Sequence, residues 1–251
     1  MKIIIIIQAR MSSRRLPGKV LRKIQGYPYT LIELIYMRLK RVSGIAEIVL
    51  ATSTDSSDDI LVDEANKLGL KVVRGDLDNV LSRFVKVVGE YSCDHVIRIT
   101  ADCPLVSPEL IEMLIDIHLE NNNDYTSTAL NPTYPDGLDA EIIKADILID
   151  LYKKDLTTVD KEHVTYFVYS NPKDYQLGSL TSDNNLSHIR LTVDENIDLK
   201  FMNIFIKDIA IDPVKITYDE IEKFISYQSE EYFINSDISR NEGLEVALLK
   251  E

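Results

Sequence analysis

Through the first half of the 251-residue chain, short apolar runs rich in β-branched residues alternate with helix-length amphipathic segments. This alternation is what most restricts the fold, because a strand followed by a helix, repeated, is the pattern of β-α units. Five strands are expected, at Lys2 to Ile7, Glu47 to Thr52, Lys71 to Arg74, His95 to Thr100 and Asp124 to Ser127. The helices between them fall near Thr30 to Val42, Asp58 to Leu68, Asn79 to Glu90 and Pro108 to Glu120. The first four strands are apolar on both faces, as in a parallel sheet covered by helices on each side. The expected fold is an α/β, three-layer α/β/α sandwich with a mostly parallel mixed sheet, its ligand loops gathered at the carboxyl edge.

After about residue 131 the rhythm changes. NPTYPDGLDAE leads into polar helices and an aromatic segment, then strand-like runs at Tyr175 to Leu180 and Ile189 to Thr192, then a helix over Asp198 to Ile209. No Pro- or Ser-rich linker divides the chain, so the reading is a single domain over 1–251. An inserted lobe at about 131–190 and a helical tail at about 218–251 belong to it. With 41 acidic against 28 basic side chains the formal net charge is -13, which argues against binding nucleic acid or an anionic membrane surface. The five isoleucines Ile3 to Ile7 are too few for a signal segment or a membrane span. Cys93 and Cys103 fit no metal-finger or CxxC spacing, which suits reduced thiols and a cytoplasmic location.

The first strand opens directly into QARMSSRRLPGKVL, where Arg10, Arg14, Arg15 and Lys19 stand within ten positions of an acidic protein. Local reversal of charge suits a loop that wraps a polyphosphate, with Gly18 permitting close backbone approach; a solvated basic loop is the plainer alternative. It matches neither the Walker A nor the GxGxxG pattern. In RITADCPL an apolar strand runs out into Asp102, and RLTVDENIDL repeats the arrangement with Asp194. Two strand-end carboxylates beside a cationic loop form a consistent nucleotide and Mg²⁺ site, although Asp102 alone reads more simply as an N-cap or Asx-turn residue. Asp198 reads as a first-turn helix residue. The four histidines make no zinc spacing, and only His163, within KEHVTYF, stands near other candidate site residues.

These segments resemble the cytidylyltransferases that activate acidic sugars, and among them the branch of spore coat polysaccharide biosynthesis proteins typified by protein F. The family's loop QARMGSTRLPGK stands here as QARMSSRRLPGK, and its TGDCPL as TADCPL. ATSTDSSDD, RGDLDNVLSRF, PDGLDAE, KEHVTYF and LTVDENIDL follow in the family's order, so the resemblance runs over roughly residues 1 to 210. It implies a glycosyltransferase-A-like nucleotidyltransferase making a CMP-sugar and pyrophosphate from CTP and a sugar acid, for surface polysaccharide or glycoconjugate synthesis. Arg10 and Lys19 would hold the triphosphate, within a loop that includes Ala9, Ser13 and Arg14. Asp102 and Asp194 would hold Mg²⁺, with Thr52, Ser53, Asp55, Arg74 and Gly75 near the base or ribose. Asp139, Glu141 and His163 would line the acceptor pocket, where Arg190 or Lys161 would meet the acceptor's carboxylate. Ser12, Arg14 and Ala101 depart from the family pattern and put the loop's fine geometry in question. Two further readings stand beside this one: transfer to a different phosphorylated or amino-modified acceptor, and a non-catalytic nucleotide-binding scaffold. The aromatic residues Tyr166, Phe167 and Tyr169 suggest a homodimer through the 131–190 segment.

Overall fold

The computed structural model describes residues 1–240 and 242–249. Its centre is a seven-stranded sheet in the order β3-β2-β1-β4-β6-β5-β7. The strands are β1 (Ile3–Gln8), β2 (Ile45–Ser53), β3 (Lys71–Gly75), β4 (His95–Thr100), β5 (Tyr125–Ser127), β6 (Glu141–Lys144) and β7 (Leu177–Ser179). All neighbours are parallel except those of β6, which runs antiparallel to both β4 and β5. The sheet is therefore mixed but mostly parallel, as expected.

The isoleucine run shows why both faces must be covered. Side chains alternate across a strand, so Ile3, Ile5 and Ile7 enter one apolar core while Ile4 and Ile6 enter the other. Helices α1 (Leu31–Leu39), α2 (Asp59–Lys67), α4 (Pro108–Glu120) and α8 (Asn196–Ile209) bury their apolar stripes in the first core. Helices α3 (Val80–Tyr91), α5 (Ala145–Tyr152) and α7 (Tyr166–Ser170) pack into the second. Three of these helices begin where a side chain satisfies a free amide: Thr30 and Glu33 form a capping box on α1, Asn79 caps α3, and Ser107 caps α4 ahead of Pro108.

Two departures from the expected elements lie beyond residue 131. The segment expected to form a lobe supplies β6 and β7 to the central sheet itself, along with α5, α6 (Thr158–Glu162) and α7. The run Ile189 to Thr192 is not a strand: it makes a single bridge, between Arg190 and Asp136, because its backbone instead ties to the site loops. Val193 N–H donates to the Asp102 carbonyl at 2.8 Å, and Leu191 N–H donates to the Asp136 carbonyl. In the tail, α9 (Tyr218–Ile225) buries Ile221 and Ile225 in the first core, and α10 (Glu242–Leu248) buries none of its residues.

Strand register sets the site. Gln8 of β1 pairs with both Ala51 of β2 and Thr100 of β4, so β1 and β4 end level while β2 runs two residues further, to Ser53. The loops after β1 and β4 consequently start side by side, joined by the Ala101 N–H on the Gln8 carbonyl.

Candidate active site

A cavity of about 760 Å³ opens at this carboxyl edge, lined by Arg10, Ser13, Arg14, Lys19, Asp102 and Asp194 among others. That volume suits a nucleotide-sized ligand. The loop from Ala9 to Lys19 folds over its floor. Gly18 has φ +69°, and its N–H returns to the Met11 carbonyl at 2.9 Å, closing the loop before the short helical turn Lys19–Leu21. Neither Ser12 nor Ala101 has positive φ among the described residues, so both replace the family's glycine without left-handed strain.

Lys19 is the centre of the charge pattern. Its Nζ donates to Asp102 Oδ2 at 2.9 Å and to Asp194 Oδ1 at 2.7 Å. Burial draws the Lys19 pKa down, but the two carboxylates outweigh it and hold the ammonium above its ordinary value. Burial likewise opposes ionisation of Asp102, and Lys19 with the Thr100 hydroxyl more than reverses this, keeping the carboxyl well below its usual range. The two carboxylates are held in mutual position by backbone, since the Asp102 carbonyl accepts from both Val193 N–H and Thr192 Oγ1. Asp198 fixes the second of them: it accepts from the N–H groups of Asp194 and Glu195 and from Arg190 and Asn235. The first-turn reading of Asp198 is thus correct, with a buried organising role added.

Two carboxylate oxygens converging on one cationic nitrogen also present the hard oxygen donors that Mg²⁺ prefers. Among the described residues no group of three or more His, Cys, Asp or Glu side chains is arranged to hold a metal. A cation here would rest on Asp102 and Asp194 and complete its shell from water and phosphate, which is the usual habit of Mg²⁺.

A second chamber of about 270 Å³ adjoins the first and shares Asp102, Asp194 and His163 with it. Asp139, Glu141, His163 and Arg190, the residues expected around an acceptor, all line it. Antiparallel β6 places Glu141 opposite Arg98, giving an ion pair at 2.6 Å. Asp139 is pushed up to about 7 by burial, against the pull of the Arg240 guanidinium that it binds. Burial and the nearby Arg98 charge lower the His163 pKa, so its imidazole is predominantly neutral at pH 7.

Several expected positions are elsewhere. Thr52 and Ser53 are buried and give their hydroxyls to Asp58, which also takes the Met11 N–H at 2.7 Å. This segment therefore braces the loop instead of lining the cavity. Asp55 caps the turn at Ser56–Asp58, and Arg74 binds the carbonyls of Ser53 and Asp55 and the Asp59 carboxylate. Gly75 lies against Arg83, whose Cγ a Cβ at residue 75 would meet at 2.8 Å. None of these five, nor Lys161, lines either chamber. Arg190 lines the second chamber but is already engaged by Asp136, Asp194 and Asp198, so it is not free to take an acceptor's carboxylate. Arg83 lines the larger cavity and was not foreseen. A cue was present: it stands three residues after Val80 and four before Val87, on the apolar face of α3.

A family model for cytidylyltransferases matches residues 4–239. The chain belongs to the cytidylyltransferase family. With that it is a CTP-dependent nucleotidyltransferase, and its loop and strand-end motifs line the larger cavity. Within the family it is 36% identical to the spore coat polysaccharide biosynthesis protein SpsF of Bacillus subtilis, covering 78% of this chain and 82% of that one. It is also 36% identical to the 3-deoxy-manno-octulosonate cytidylyltransferase of Escherichia coli over 117 residues, 45% of each chain. The solved structure of a cytidylyltransferase from Leptospira borgpetersenii superposes with a TM-score of 0.87 at 26% identity, covering 96% of this chain and all 100% of that one. No helix among the described residues is long and apolar enough to cross a membrane.

Proposed function

We propose that this cytidylyltransferase transfers CMP from CTP to the hydroxyl of an acidic sugar, releasing pyrophosphate, in the service of surface polysaccharide or glycoconjugate synthesis. The observation that carries the reading is the convergence of Lys19, Asp102 and Asp194 where a triphosphate-sized cavity meets a smaller polar chamber. The acceptor hydroxyl oxygen attacks the α-phosphorus and gives up its proton to solvent, the bond to the bridging oxygen breaks, and that oxygen leaves with pyrophosphate. Arg10, Ser13, Arg14 and Lys19 orient the phosphates and neutralise charge that grows on the leaving group. Asp102 and Asp194 would hold Mg²⁺, which when bound adds charge neutralisation at the phosphates. Similarity to the octulosonate enzyme supports the sugar-acid acceptor, and similarity to SpsF supports the polysaccharide role.

One observation favours a second acceptor class. The cations lining the smaller chamber, Arg15, Arg98 and Arg190, are each already paired with carboxylates, so an acceptor recognised there by groups other than its carboxylate, as an amino-modified one would be, fits the chamber as well. A thermal-shift panel of CTP, UTP, ATP and GTP with Mg²⁺ or EDTA tests the nucleotide, with a rise of roughly 5 °C expected for CTP at about 100 times Kd. Pyrophosphate release with CTP and a panel of plain and amino-substituted sugar acids then tests the acceptor. Absence of release with any sugar acid would sink the first reading. The two free cysteines fit a cytoplasmic enzyme, and sedimentation tests the homodimer.

A further inference from the structure

The two chambers share part of their lining where they meet, and five of the shared side chains can accept a proton: Asp102, Glu162, His163, Asp194 and Glu242. An acceptor hydroxyl in the smaller chamber and a triphosphate in the larger one would meet at this junction. The four carboxylates there are already engaged by cations. Lys19 bridges Asp102 and Asp194, Arg10 pairs with Glu162, and Arg15 pairs with Glu242. In the smaller chamber Asp136, Asp139 and Glu141 are likewise bound, by Arg190, Arg240 and Arg98. His163 differs. Among the described residues its ring takes part in no hydrogen bond or ion pair, and the charges that act on it, Arg98 on β4, Glu141 on β6 and Glu162 on α6, do so through space.

The backbone that carries His163 is strained. Val164 has φ +51°, a left-handed conformation that is a genuine outlier for a β-branched residue. It is held there from both sides. The Val164 side chain is buried in the second core. Thr165 donates its N–H to the His163 carbonyl and its hydroxyl to Glu141, whose other oxygen binds Arg98. Strain of this kind persists only where the surroundings over-determine it, and it gathers at sites of chemistry. Here it closes α6 at His163, the residue that lines both chambers with its ring uncommitted.

Resting on the reading of this chain as one that transfers CMP from CTP, we propose that His163 is the general base of the transfer, its ring nitrogen taking the proton of the acceptor hydroxyl. As the oxygen–hydrogen bond breaks, its electron pair forms the new bond to the α-phosphorus. The bond from the α-phosphorus to the bridging oxygen breaks, and pyrophosphate leaves with that pair. The imidazolium then passes the proton to solvent and the neutral ring is restored. Burial and Arg98 together outweigh the two glutamates and keep the ring neutral beforehand, as a base must be.

The test measures pyrophosphate release at saturating CTP and Mg²⁺, with 3-deoxy-manno-octulosonate as the probe acceptor and, in a parallel arm, with water as the only nucleophile. His163→Gln keeps a polar edge but takes no proton near neutral pH. It is expected to lower kcat about 10²-fold in both arms, the lower end of what general bases contribute, while calorimetric affinity for CTP stays within about twofold. The wild-type rate should fall as pH drops, and His163→Gln should lack that limb. Asp139 in the same chamber titrates at about 7, so the limb is assigned by its loss in the variant and not by its midpoint. Rescue separates chemistry from architecture: free imidazole should restore His163→Ala in proportion to its neutral form, which a structural role would not allow. A wild-type rate or an intact pH limb in His163→Gln overturns the proposal. So does a loss of CTP affinity in parallel with kcat and without imidazole rescue, which would make His163 a prop of the cavity wall. Release with water that the octulosonate does not raise counts against the sugar-acid acceptor, and the water arm then decides His163. Wild type that releases no pyrophosphate in either arm strikes the cytidylyl reading and the proposal with it.

Discussion

Lys19 bridges Asp102 and Asp194, a place that a divalent cation would contest. It therefore has two partners to choose from when nucleotide arrives: the carboxylates or the phosphates. Replacing it by methionine is expected to lower the rate of pyrophosphate release about 10² to 10³-fold, by comparison with single electrostatic donors elsewhere, while the fold persists by circular dichroism. Asp139 gives a second residue-scale expectation, on pH. Its folded pKa, about 7 through burial, lies above the unfolded carboxyl value of about 3.9. The native state thus binds a proton that the unfolded state has released, so stability falls as pH rises from about 4 through 7. Asp139→Asn should remove that slope: urea midpoints of variant and wild type should draw apart between pH 5 and pH 8, with wild type declining the more. Parallel lines would show that Asp139 is ionised throughout.

At the scale of elements, the smaller chamber depends on a backbone contact that only glycine permits. Gly137 has φ +103°, and a Cβ there would lie 2.4 Å from the Leu191 carbonyl carbon and from Thr192 N. Backbone cannot yield as a side-chain tip can, so Gly137→Ala is expected to cost about 3 kcal/mol or more in urea denaturation, with loss of nucleotide binding as Asp194 shifts. The chain around this contact also marks the boundary of what the sequence made legible. Runs such as Ile3 to Ile7 and His95 to Thr100 announce buried strands because length, β-branching and flanking loops agree. β6 does not: it is four residues, EIIK, with α5 starting at the next position, so its short apolar pair merges into the helix pattern. Ile189 to Thr192 has the opposite character, a strand-like run whose hydrogen bonds go to Asp102 and Asp136. Charged loop residues and strand-end aspartates were readable because chemistry restricts them. Thr52, Ser53 and Arg74 line neither chamber, and their partners, Asp58 and the Ser53 and Asp55 carbonyls, could not be read from the sequence because they are set by three-dimensional packing.

For the molecule as a whole, the consequence lies in its C-terminal segment, whose helix α10 begins after the last residue matched by the family model. Glu242, Gly243, Val246 and Ala247 form one wall of the nucleotide cavity. Two ion pairs hold this segment: Glu242 to Arg15 of the loop after β1, and Arg240 to Asp139 of the smaller chamber. A triphosphate would compete with Glu242 for Arg15, and both partners are partly exposed, so the contact is worth no more than about 1 kcal/mol. Glu242→Gln is accordingly expected to tighten CTP binding by up to about fivefold at low salt, an effect that should fade at about 0.5 M salt as screening shortens the reach of the pair. Since α10 buries none of its residues, the substitution should leave the melting temperature nearly unchanged. Calorimetric titration at the two salt concentrations separates the cases. A gain that persists at high salt would mean that Glu242 repels the triphosphate at contact range, and no gain at all would mean that α10 merely rests beside a loop whose arginine the nucleotide does not use.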